Sequence, residues 1–500
     1  MNNQHIQTQV RSLTQILDDL KTGDIQIPPF QRDFVWGKQE IKNLFDSVQK
    51  NYPIGSILLW SPAEMQTWKG MRDIGSFNLP NTNTPKAYVL DGYQRLSSLF
   101  GCLTDPDKSG LTCDFKKRKE LFNLYFDLKR NDFIYPIGTP QPYQVPVYKL
   151  TSTSEFRQYT RNVLEPAIGD SVEFDTYLNN ADAFSRRLVD YKLAVIEVEK
   201  SSLNDAVEIF SRINSKGMEI SYDYMVSALS FSNTFNFALK IDNLLEDLDK
   251  YNFSNIQRIT LFRCYQSAFD NKLYIDTDIE SLAKHPDFPE TIDKMSVAIN
   301  RAVKFLFEEI NVVDGRLLPY TAQLVFLAVF FMKVGSPTEK QFNDLKKWFF
   351  VTTYTNYFTT HSLSGQRKAF NTFLQYVSGL KQEPIYWESP EDEKKIQPWP
   401  KTLRLASVRG IALVLFQLNK LAEMGKFNLD GKKLYIGKIF QNEESTPENM
   451  KVLFAGKTPQ QYFFPCGENN APQQELENRK EKLQAEEKLF VEKLGLRYTT

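Results

Sequence analysis

The hydrophobic period of this chain changes part-way along, and that change limits its architecture more than any other feature. Up to about residue 225, helical spacing alternates with short apolar runs of strand type. Leu13, Ile16, Leu17 and Leu20 share one helical face, with Gly23 behind them as a stop, so a helix is expected over 12–21. Pro28 and Pro29 then forbid helix and hold the backbone extended. Ile41, Leu44, Phe45 and Val48 repeat the helical spacing and predict a second helix. NYPIGSILLW reads as a turn into a buried strand over 56–60, and AYVLDG as a short strand ending at Asp91-Gly92. RLSSLFGCL looks like a helix start, and further strands are expected at 124–128 and 193–198. Such alternation specifies a mixed α/β domain.

From about residue 231 the strand signals fade, and segments such as TIDKMSVAINRAVKFLFEEI carry helical spacing alone. The expected fold class is therefore α+β, with a mixed α/β domain over 1–230 followed by a mainly α-helical region over 231–380. Residues 381–401 are charged and punctuated by proline, which predicts a linker or long surface loop before a C-terminal region over 402–500. In that region Leu476, Leu483 and Phe490 recur every seven residues amid charge, which predicts one long exposed helix.

Composition narrows the function classes. With 61 Lys and Arg against 61 Asp and Glu, the chain has no net charge, whereas a general DNA coat needs a basic excess. A local patch remains open, and Lys116, Lys117, Arg118 and Lys119 are its candidates for a DNA backbone, against the plainer reading of a solvated hairpin. The four cysteines are scattered without a CxxC pair, as expected of reduced thiols in the cytoplasm. The N-terminus has no apolar core for a signal peptide, and the longest apolar run, 324–332, is too short to span a bilayer, so no membrane association is expected.

Three segments carry candidate chemistry. In DGYQR, Gly92 permits a tight turn from a strand into a helix whose N-terminus is a natural phosphate seat. Arg95 can clamp phosphate, Gln94 can orient a water or a base edge, and Asp91 can hold a metal or polarise a nucleophile. Equally, Asp91 caps the helix and Arg95 pairs with a carboxylate. In FQRDFVW, Gln31 and Arg32 follow a rigid Pro-Pro, while Phe30, Phe34 and Trp36 read as core anchors. In IFSRINSKGMEIS, Ala206, Ile209, Phe210 and Ile213 form the buried face of a helix. Arg212 and Asn214 leave its other sides, and the turn that follows either delivers Lys216 to a phosphate or merely caps the helix at Gly217.

Taken in order, FQRDFVW, YPIGSILLW, YVLDGYQRLSSL and IFSRINSKGMEIS resemble the N-terminal domain of the GmrSD restriction endonucleases, a ParB-like or sulfiredoxin-like domain with a DGQQR motif. The resemblance spans about residues 10–230, and KKWFFVTTYTNYF extends it towards 380. Tyr93 stands where the family most often has glutamine. The resemblance implies a domain that binds and hydrolyses a nucleoside triphosphate with Mg²⁺, serving restriction of foreign or modified DNA. Asp91, Gln94 and Arg95 would be its catalytic loop, with Gln31, Arg32, Gly92, Arg212, Asn214, Lys216 and Gly217 around the nucleotide. No metal site is expected beyond a role of Asp91 for magnesium. Many relatives end in an HNH nuclease, which needs histidine. Here His5, His285 and His361 are the only histidines, so the C-terminal region is expected to be a degenerate copy, and DNA cutting would fall to a separate nuclease subunit. Two alternatives stay open: a non-catalytic nucleotide- or DNA-binding sensor, and a ParB-like nuclease acting without an HNH domain.

Overall fold

The computed structural model describes residues 5–500 except 32, 63–72, 81, 83–84, 170–171, 204, 207, 210–221, 233, 275–277, 389–395, 426–433, 455–470 and 498–500. The chain divides into two compact units, Met1–Leu239 and Lys240–Thr500, and the fold is α+β.

The first unit is built on a mixed five-stranded sheet. Its strands are β1 (His5–Ser12), β2 (Ile25–Gln26), β3 (Ile57–Pro62), β4 (Ala87–Asp91) and β8 (Lys192–Ser201), in the order β1-β8-β3-β4-β2. β8 runs antiparallel to β1 and parallel to β3, while β4 is antiparallel to β3 and parallel to β2. The central strands are covered on both faces, which is why their sequences are nearly continuous apolar runs. Ile57, Leu59, Ala87 and Val89 enter one core, and Leu58, Trp60, Tyr88 and Leu90 enter another on the opposite face. A separate antiparallel sheet holds β5 (Tyr125–Asp127) between β6 (Asp132–Ile134) and β7 (Gln144–Pro146).

Helices α1 (Leu13–Thr22), α2 (Lys38–Gln49), α3 (Tyr93–Leu103) and α4 (Val172–Asp190) supply the larger core. Ser12 caps α1 by accepting from the Gln15 amide, the Gln15 side chain returns to the Ser12 amide, and Gly23 ends the helix at φ 81°. This reciprocal cap fixes the helix where its apolar spacing places it. Ala206 and Ile209 contribute to the second core with α5 (Tyr222–Ser230), as their spacing predicts, whereas Phe210 and Ile213 lie outside the described residues.

The second unit is mainly helical. Its boundary falls in the first turn of α6 (Phe237–Asp249), and α7 (Arg258–Asp270), α8 (Phe288–Glu309) and α9 (Thr321–Lys333) pack together behind it. α9 carries the longest apolar run and is buried throughout 323–331. Among the described residues, no helix is long and apolar enough to cross a membrane. α10 (Glu339–Tyr354), α11 (Leu363–Val377) and α12 (Val408–Glu423) follow, then a hairpin of β9 (Leu434–Lys438) and β10 (Met450–Phe454), and finally α13 (Pro472–Lys493). The described residues of 381–401 contain no helix or strand.

The exposed helix expected at the C-terminus is instead docked. Glu475, Arg479, Leu483, Glu487 and Val491, every fourth residue, form its buried face. Charge hides this stripe in the sequence, and partners elsewhere satisfy it. Arg409 of α12 grips Glu487 through two bonds of 2.6 and 2.7 Å, the Tyr354 hydroxyl donates to the same carboxylate at 3.0 Å, and Arg479 Nε donates to the Glu448 carbonyl at 2.8 Å.

Candidate functional site

The site lies where β4 stops. Gly92 turns the chain into α3 at φ 99°, and a Cβ there would meet Ile57 Cδ1 at 2.4 Å, so the corner requires glycine. No side chain caps the start of α3, so its first amides face the corner without a side-chain hydrogen bond. Arg95, one turn on, leans back across it. Its Nη2 donates to Asp91 Oδ2 at 3.0 Å and its Nη1 to the Ile54 carbonyl at 2.8 Å. The guanidinium passes over Gly55, where φ is 87° and a Cβ would sit 2.4 Å from Nη1. The glycine of YPIGS thus exists to let this arginine through.

Two buried glutamines lock the preceding loop against the corner. Gln94 Oε1 accepts from the Val35 amide and its Nε2 donates to the Asp33 carbonyl, both at 2.9 Å. Gln31 Nε2 donates to the carbonyls of Val89 and Leu90 at 2.7 and 3.0 Å. The Tyr93 hydroxyl is tied to the Asp73 carbonyl at 2.9 Å. Gln94, expected to orient a water or a base edge, therefore spends both of its polar groups on main chain.

Between this corner and α2 opens a cleft of about 710 Å³. Asp91, Gly92, Gln94, Arg95, Gly55 and Ser56 line one side, and Trp36, Glu40, Asn43, Leu44 and Ser47 line the other. Arg95 and Asp91, with side-chain exposures of 15% and 31%, set their ion pair in the cleft wall. Cys102, in the same helix as Arg95, offers no nucleophile, because burial pushes its thiol up to about 12.

Residues 13–231 match the family described as GmrSD restriction endonuclease, N-terminal domain. This segment belongs to that family. The match ties the chain to restriction systems, and it contains every residue lining the cleft. The chain is also 23% identical over 414 residues to the uncharacterized protein MJ0686 of Methanocaldococcus jannaschii, covering 75% of this chain and 69% of that protein.

Within the GmrSD N-terminal domain the structure brings Gln31, Asp91, Gly92, Gln94 and Arg95 to one cleft. Arg32, Arg212, Asn214, Lys216 and Gly217 lie outside the described residues. The proposed DNA-backbone run needs a correction. Lys116 and Lys119 are exposed and Lys117 half-buried, but Arg118 is only 5% exposed. Its Nη1 donates to the Gly101 carbonyl at 2.8 Å, and its guanidinium lies 5.6 and 5.2 Å from the ring centres of Phe77 and Tyr148. An arginine so enclosed cannot reach a phosphate backbone.

Trp36, read from sequence as a core anchor, both packs on the core and lines the cleft. Glu40, Asn43 and Ser47 were not singled out; the signal was present in the polar positions of α2 opposite its apolar stripe. Among the described residues no group of three His, Cys, Asp or Glu side chains could hold a metal ion. His361 is packed into the fold, its ring stacked on Tyr357 and its Nδ1 2.9 Å from the Tyr357 carbonyl.

Proposed function

We propose that the GmrSD N-terminal domain binds a nucleoside triphosphate in the cleft between α2 and the Asp91–Arg95 corner and hydrolyses it, within a restriction system acting on foreign or modified DNA. One observation carries this reading: an uncapped helix start, a guanidinium and a carboxylate converge on one wall of an open cleft of about 710 Å³, a volume within the range of sites for nucleotide-sized ligands. The helix start and Arg95 attract the phosphates. Arg95 is already held in place by the Ile54 carbonyl, so an anion need only displace the Asp91 contact to receive a charge-assisted bond. Asp91, released, is the carboxylate positioned to orient the attacking water. Magnesium normally keeps several waters and takes one or two carboxylates plus substrate phosphates. The single carboxylate at this corner therefore fits an Mg²⁺ ion arriving with the nucleotide, where it would neutralise phosphate charge. Gln94 and Gln31 act as positioning residues, holding the 31–36 loop to the end of β4.

A sensor that binds nucleotide without turnover is the second reading, favoured by the Asp91–Arg95 pair itself, which ligand exchange alone would switch. DNA and a separate nuclease subunit are the partners this reading implies. The deciding experiment sets wild type, Asp91→Ala and Arg95→Ala side by side in nucleotide-binding, NTPase and nuclease assays with Mg²⁺. Turnover by the wild type and its fall by about 10²-fold or more in either variant, at unchanged fold, is the expected result. Binding without turnover establishes the sensor, and metal-dependent DNA cleavage by the chain alone establishes a self-contained nuclease.

A further inference from the structure

β1 pairs with β8 from His5↔Glu199 to Ser12↔Lys192, and among the described residues no strand pairs along its other edge. Every second residue of this eight-residue strand therefore points its main-chain N–H and C=O groups out along the open edge. Natural sheets blunt such edges with proline, lysine or a bulge. β1 has neither proline nor lysine, its one arginine, Arg11, is paired with Asp19, and its pairing runs without a register shift.

Its two faces differ. Gln7 and Gln9 reach to β8, each Nε2 donating to a carboxylate, Glu199 at 3.4 Å and Glu197 at 2.7 Å. The other face carries Ile6 and Val10, 54% and 70% exposed, with exposed Thr8 between them. Two large apolar side chains beside an open edge mark a place where another chain docks.

The edge also states which chain. Ile6-Gln7-Thr8-Gln9-Val10 is chemically symmetrical about Thr8. An antiparallel pair related by a two-fold axis at Thr8 sets Thr8 against Thr8, Gln7 against Gln9, and Ile6 against Val10 twice. A slip of two residues either way sets an apolar side chain against Thr8 and loses the Ile6–Val10 contacts. A slip of one residue turns the second sheet over, so that its glutamine row continues the apolar row. Only the symmetrical register satisfies both faces.

We infer that β1 docks on β1 of a second copy of this chain, antiparallel about Thr8, joining two five-stranded sheets into one continuous sheet. The contact is isologous, as closed dimers require. Main-chain hydrogen bonds hold it, and the paired Ile6 and Val10 side chains set its register. Nothing in it depends on the nucleotide reading.

The test uses the full chain. Under mild oxidation Thr8→Cys is expected to give a disulfide-linked dimer on a non-reducing gel, because position 8 alone meets its own copy, at Cβ separations of about 4.5–5.5 Å. Gln7→Cys, Gln9→Cys and the wild type, with its four native cysteines, serve as controls that stay unlinked. In sedimentation velocity over a concentration series, the wild type should dimerise and the Ile6→Lys/Val10→Lys double variant should remain monomeric with an unchanged circular dichroism spectrum. A wild type that is monomeric at every concentration overturns the inference. So does a dimer that survives both lysines, linkage of equal yield at positions 7, 8 and 9, or capture of a strand from a different protein by a chain that does not self-associate.

Discussion

At the scale of single residues, the cleft is governed by what glycine permits. Gly55 combines a left-handed backbone with a guanidinium 2.4 Å from where its Cβ would be. Gly55→Ala should therefore act twice. The strained backbone should cost about 1–3 kcal/mol of stability, and Arg95 should be driven from the Ile54 carbonyl. Chemical denaturation reads the first effect, and nucleotide titration, with affinity falling about tenfold, reads the second. Unchanged affinity in a folded Gly55→Ala protein would show that Arg95 does not need this path to serve the ligand. The basic run beside β5 makes a matching contrast. Arg118→Ala removes a buried guanidinium from a carbonyl and two rings and should destabilise by about 2–4 kcal/mol. Lys119→Ala, on the exposed side, should alter stability by less than about 0.5 kcal/mol. Equal effects in urea melts would contradict the inward path of Arg118.

At the scale of elements, legibility depended on whether a residue's partner is local. The span of α1 could be read because Ser12, Gln15 and Gly23 sit within or beside the helix they bound. DGYQR could be read as a strand–turn–helix corner for the same reason. Gln31 and Gln94 do line the cleft, but their side chains bond backbone groups about sixty positions away, and nothing local reveals that a side chain will be consumed by main chain. The docking of α13 was invisible for a related reason: its buried face includes Glu475, Arg479 and Glu487, and the arginine matching Glu487 lies 78 residues earlier. That pair yields a prediction about the element as a whole. Glu487→Gln leaves Arg409 buried without its counter-charge and should cost about 3–5 kcal/mol, whereas Arg409→Met combined with Glu487→Leu should fall within about 1 kcal/mol of wild type. Urea denaturation of Arg409→Met, Glu487→Leu and the double variant closes the cycle. Additive losses would mean that the charges stabilise α13 independently rather than as a pair.

At the scale of the whole molecule, the question is which part of the chain the function needs. The apolar residues of the two cores flanking the five-stranded sheet lie between Leu13 and Phe231, and the residues lining the cleft lie between Gln31 and Arg95. The family match ends at residue 231, close to where the first compact unit ends at Leu239. A fragment of residues 1–239 thus keeps the sheet, the helices that bury it and the complete cleft wall. It should fold on its own, with a cooperative thermal transition, and bind nucleotide within about threefold of the full chain, a difference of roughly 0.7 kcal/mol. Residues 240–500 should fold as a helical unit and bind none. The informative failure is a fragment 1–239 that melts cooperatively yet has lost the nucleotide. Its sheet and corner would be intact, so the missing affinity would have to come from side chains beyond Leu239, and the cleft between α2 and α3 would be only part of the binding site.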